Sequence, residues 1–154
     1  MAITQNDVRA IQLAKAALYA GIKLLMEKLN ITQIDTIRLA GAFGSHIDVK
    51  YAMALGLIPD CNLAHVHSAG NAAGTGARIA LLNKHARETI ETVVRKVEKI
   101  ETAVEPKFQE HFVNAMAFPH KVDEFPNLSA EIVLPAPKPA TPQSSTGRRR
   151  RRRK

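Results

Sequence analysis

Two short apolar runs, each broken by glycine and followed by a helix-forming stretch, constrain this chain most. The first, Ile37-Arg38-Leu39-Ala40, breaks at Gly41-Ala42-Phe43-Gly44, and a helical segment follows from Asp48. The second, Leu63 to Val66, breaks at Gly70, and Asn71-Ala72-Ala73-Gly74-Thr75-Gly76-Ala77 leads into another helix. Strand, glycine turn, helix, repeated once, is the pattern of parallel α/β units. Six of the eight glycines lie between Gly41 and Gly76, so the function is expected there. A backbone without Cβ atoms at the ends of neighbouring strands lets a ligand or a helix come close.

Around this centre the remaining elements are helical. Residues 3–30 read as one amphipathic helix, N-capped by Thr4 with Asp7 at its positive end and stopped by Asn30. Val8, Ile11, Leu18, Ile22, Leu25 and Leu29 form its apolar face, widened by Ala14, Ala17 and Gly21. Asp48 caps a short helix over 49–55, closed by Gly56 and followed by Pro59. A further helix is predicted from Ala72 to Leu82, either extended to about 96 or followed by a second one from Ala86 to about Val97. A last helix over 106–117 carries a stripe of Phe108, Phe112, Val113 and Met116. A weak strand pattern lies at Val97 to Thr102. Six of the eight prolines lie between Pro119 and Pro142, and 134–147 is Pro, Ala, Ser and Thr with little apolar mass. A foldable unit over 1–133 and a disordered tail over 134–154 are expected.

The net charge of +8 is a property of that tail. Arg148 to Lys154 supplies seven cations, which leaves the rest of the chain near +1. No stretch is apolar and long enough to span a bilayer and no signal peptide opens the chain, so the expected location is the cytoplasm. Cys61, the single cysteine, has no CxxC partner for zinc or an iron–sulfur cluster.

Gly41 to Gly44 is either a nucleotide cradle walled by Phe43 or a βα joint that needs glycine only to turn. Spacing alone favours the joint, because the motif is not GxGxxG. Gly70 to Gly76 either offers helix N–H groups to an anion or permits close helix packing. Two such turns at the ends of consecutive strands carry more weight together than either does alone. His65 and His67 alternate on the expected strand and point to one face, with Cys61 or His46 as further ligands by proximity only; no metal site is assigned.

Taken together, Leu39-Ala40-Gly41-Ala42-Phe43-Gly44, Asp48, Gly70-Asn71-Ala72-Ala73-Gly74-Thr75-Gly76-Ala77-Arg78, Pro106-Lys107-Phe108-Gln109-Glu110, Phe112 and Ala115-Met116-Ala117-Phe118-Pro119 resemble the C-terminal end of the reductive activators of corrinoid proteins. The resemblance runs in order from about Ile3 to about Ile132. It implies part of an actin-like, sugar-kinase-like (ribonuclease H-like) ATPase lobe with a small, mainly parallel sheet and flanking helices. It further implies ATP as ligand, with Gly41, Ala42, Phe43 and Gly44 as the adenosine-contacting turn and Gly70, Asn71 and Gly74 at the helix start beneath it. Activators of this family couple ATP to reduction of corrinoid cobalt from Co(II) to Co(I). Their ferredoxin-like domain and phosphate-holding hairpin lie upstream of the segment resembled. The expectation is therefore half of a site, working with a corrinoid protein and a separately encoded iron–sulfur/ATPase half, and no iron–sulfur cluster in this chain.

A non-enzymatic scaffold is the competing expectation, with Arg148 to Lys154 binding nucleic acid or another polyanion through charge alone. In either case part of the first helix and a sheet edge are expected to stay uncovered, for a partner or a second copy to cover.

Overall fold

The computed structural model describes residues 2–42, 44 and 46–135; Met1, Phe43, Ser45 and the basic run lie outside the described residues. The architecture is α/β: a two-stranded parallel sheet flanked by helices. Helix α1, Gln5–Lys28, begins at a capping box in which the Thr4 hydroxyl accepts from Asp7 N–H and Asp7 Oδ2 accepts from Thr4 N–H at 2.8 Å. Asn30, at φ 53°, takes the left-handed conformation that ends it.

Strand β1, Ile37–Ala40, lies where the first apolar run placed it. Helix α2, Val49–Leu55, has Asp48 Oδ1 accepting from Tyr51 N–H, and Gly56 closes it at φ 72°. The second apolar run is not a strand. Asn62 Oδ1 accepts from Ala64 N–H and turns Leu63–His65 into a 3-10 helix, so strand β2 starts later, at Val66–Gly70. The strands pair in register from Ile37 opposite Val66 to Leu39 opposite Ser68. An irregularity then sets Ala40 opposite Gly70.

Of the two alternatives over 72–96 the structure takes the second, two helices, α3 (Ala72–Leu82) and α4 (Lys84–Val94). Asn83 divides them: its backbone is extended, and its Oδ1 accepts from His85 and Ala86 N–H. No strand forms over 97–102; the chain is irregular there and enters a 3-10 turn at Thr102–Val104. Helix α5 is shorter than expected, Phe108–Asn114, and a helix the sequence reading missed, α6, spans Pro126–Glu131.

Helix α1 packs on α5 and α2 on α6. The core gathers Ala16, Tyr19, Ala52, Met53, Ile58, Cys61, Val66, Ala115, Phe125 and Leu128, with Ile132 and Leu134 packed against it. Helix α1 contributes a different face from the one expected. Lys15, Ala16, Tyr19, Ala20, Leu24 and Met26 are buried, while Ile11, Leu18, Leu25 and Leu29 are exposed. The reason lies in what α1 meets. The segment 115–123 presents carbonyls and a carboxylate to it, so the polar-tipped stripe Gln12, Lys15, Tyr19 and Lys23 turns inward. Helices α3 and α4 bury no residue and expose Leu81 and Leu82.

Candidate functional site

The C-terminal ends of the two strands bring the glycine turns together. Gly41 N–H donates to Gly70 C=O at 2.7 Å, which extends the pairing by one bond beyond β1. Both residues have positive φ, 108° at Gly41 and 57° at Gly70. Gly41 lies beyond what a side-chain-bearing residue adopts without strain, whereas Gly70 sits in the left-handed well that Asn also tolerates. A Cβ built on either meets nothing within 4 Å. Glycine at these two positions therefore serves the turn and leaves an open approach to the backbone, as the crevice beyond parallel strands requires.

The other residues of the expected site divide differently. Gly44 is buried, and a Cβ there would lie 2.7 Å from Leu39 C=O, so close packing accounts for it. Asn71 Oδ1 caps α3 by accepting from Gly74 N–H at 2.9 Å, and a Cβ on Gly74 would lie 2.8 Å from Asn71 Nδ2. That N–H is taken by the cap. Ala42 is exposed beside Gly41, and Phe43 lies outside the described residues.

His65 and His67 do not share a strand face. His65 ends the 3-10 turn with Nδ1 3.1 Å from Asp35 C=O, and His67 lies opposite Arg38 in the sheet. Cys61 is buried, and burial pushes its thiol pKa up.

The richest polar network joins α1 to the 115–123 segment. Lys15 is fully buried, donates to Ala117 C=O and to Pro119 C=O (2.7 Å), and places Nζ 4.9 Å from the Phe118 ring centroid. The Phe118–Pro119 bond is cis. Burial pushes the Lys15 pKa down to about 8. Tyr19 OH donates to Asp123 Oδ2 at 2.8 Å, and burial raises its pKa with the carboxylate's help. Burial would raise the pKa of Asp123, but Lys23 at 2.9 Å and the Tyr19 hydroxyl outweigh it and hold the carboxyl below its usual range. This network escaped the sequence reading, although long side chains with polar tips at 15, 19 and 23 are four residues apart and share a helix face.

Comparison with known proteins gives three findings. The sequence model described as the C-terminal domain of RACo, the ASKHA domain, matches residues 1–129. The corrinoid activation enzyme RamQ of Eubacterium limosum is 46% identical over 113 residues, which is 72% of this chain and 19% of that protein. A solved structure of a reductive activator for corrinoid, iron–sulfur protein superposes with a TM-score of 0.70 at 33% identity. That match covers 77% of this chain and 19% of the activator, so the chain spans about a fifth of each relative.

Proposed function

The chain belongs to the family of C-terminal ASKHA domains of corrinoid reductive activators, and on that premise we propose that it is the ATP-binding half of such an activator. The observation that carries the reading is the pair Gly41 and Gly70, bonded across two parallel strand ends with open space on their Cβ sides. Adenosine binds against that backbone, with Ala42 beside it and the Asn71-capped start of α3 beneath. ATP hydrolysis supplies the driving force for an electron to pass from an iron–sulfur centre to Co(II), giving Co(I) on a corrinoid protein. In this reading the electron carrier and the phosphate-holding residues lie outside the segment described, and the protein acts in the cytoplasm. No described helix is long and apolar enough to cross a membrane. The uncovered apolar side chains of α1, α3 and α4 suit such a complement.

The test is ATP titration by calorimetry on the wild type and Gly41→Val, beside their melting temperatures. Val puts a branched side chain into the open approach and strains φ 108°. Strain lowers the melting temperature with or without nucleotide, whereas a lost site removes the nucleotide-dependent increment. ATP heats unchanged in Gly41→Val would overturn the reading.

A further inference from the structure

His120 occupies the turn after α5 with its side chain 3% exposed and its ring stacked on Tyr19 at 4.7 Å. Its Nδ1 accepts from Asp123 N–H at 2.8 Å and from Val122 N–H at 3.2 Å. A ring nitrogen that receives two N–H donors carries a lone pair, so the proton of the neutral imidazole is on Nε2. That Nε2 is buried and has no hydrogen-bond partner among the described residues. The closed turn thus selects one neutral tautomer. The imidazolium is excluded, because a proton on Nδ1 would face two other N–H groups.

The charged and titratable groups around the ring are few. Helix α1 supplies Lys15, Tyr19 and Lys23, α5 supplies His111, and the turn itself supplies Asp123, whose Oδ1 lies 3.8 Å from Nδ1. We propose that His120 is an acid-released latch holding the 120–123 turn against α1. One proton from solvent adds to the Nδ1 lone pair and converts the acceptor into a donor. The Val122 and Asp123 N–H groups lose their acceptor, and the new N–H turns to Asp123 Oδ1. Asp123 is also the anchor of Tyr19 and Lys23, and all three line a cleft of about 490 Å³ with Glu124, Asp35 and Asp60. Opening the turn loosens that wall.

The direction in pH follows from the environment. Burial, outweighing the Asp123 carboxylate, lowers the His120 pKa from 6.5. The closed state therefore binds fewer protons than the open one. The latch is fully closed above about 6.5 and is lost as pH falls toward the lowered value.

The experiment uses the full chain. Nitrogen-15 NMR of the imidazoles at pH 7 is expected to show His120 protonated on Nε2. Amide exchange at Val122 and Asp123, corrected for intrinsic rate, is expected to lose about tenfold protection between pH 7 and 5. In His120→Asn the side-chain oxygen replaces Nδ1 as acceptor and does not titrate, so protection is expected to stay flat. A proton on Nδ1 at pH 7, flat protection in the wild type, or equal loss in both proteins would overturn the latch. Should His120→Asn fail to fold, the tautomer and the exchange profile of the wild type decide alone.

Discussion

Lys15 Nζ, fully buried midway along α1, donates a 2.7 Å hydrogen bond to the carbonyl oxygen of Pro119. It ties the start of the chain to the segment that carries the His120 turn. Lys15→Met keeps most of the stem and removes the donors, leaving two part-buried carbonyls without them. A loss of about 1–3 kcal/mol per unsatisfied group is expected in urea denaturation. The pH dependence has a definite sign. Because the folded pKa is lowered to about 8, the unfolded chain binds more protons between there and 10.5. Wild-type stability should rise relative to Lys15→Met as pH climbs through that window. A difference that is flat or falls from pH 8 to 10 would contradict the buried cation.

Gly56 and Gly21 should respond oppositely to alanine. At Gly56, φ is 72° and a Cβ would lie 2.0 Å from Pro119 C=O and 2.9 Å from Lys15 Nζ. Backbone atoms cannot swing aside, so Gly56→Ala is expected to cost more than about 3 kcal/mol or to prevent folding. Gly21 lies inside α1 with nothing within 4 Å of its Cβ. Gly21→Ala is expected to stabilise the chain by about 0.5–1 kcal/mol. Thermal melts of the two variants check both signs at once.

The turns were legible in the sequence because each depends on residues a few positions apart. Thr4 with Asp7, Asp48 with Tyr51 N–H, and Gly56 at left-handed φ are all local chemistry. What was illegible depends on distant parts of the chain. Helix α6 begins at Pro126, but Asp60 accepts from Asn127 and Leu128 N–H, a cap supplied from far earlier in the sequence. The inward face of α1 was misread for the same reason, since nothing near Lys15 in sequence announces the Ala117 and Pro119 carbonyls. The glycine pair was found, yet only the structure separates Gly41 and Gly70, open on their Cβ sides, from Gly44 and Gly74, which are packed.

The apolar stripe that the sequence marked on α1 remains outside the core, with Leu18 and Leu25 each 50% exposed. Replacing both by Glu should change stability by no more than about 0.5 kcal/mol each, as surface substitutions do. Self-association should fall at the same time, because an exposed apolar stripe favours contact with another surface. Sedimentation of the wild type and the double variant over a concentration series checks this. A melting temperature that collapses in the variant would place these leucines in a core.

Nucleotide selectivity follows from the open backbone at Gly41 and Gly70 and from the proposal that the phosphates are held by another half. Contacts made only to adenosine cannot tell one, two or three phosphates apart. ATP, ADP and AMP are therefore expected to bind this chain within about threefold of one another, a spread of roughly 0.7 kcal/mol. Gly70 separates contact from strain. At φ 57°, Asn is tolerated and Val is not, so Gly70→Asn should keep the fold where Gly70→Val loses stability. If Gly70→Asn melts like the wild type but binds all three nucleotides more weakly, the loss lies in the approach to the backbone. A preference for ATP over AMP of about a hundredfold, some 2.7 kcal/mol, would mean that this chain grips phosphates itself, and the half-site reading would fall.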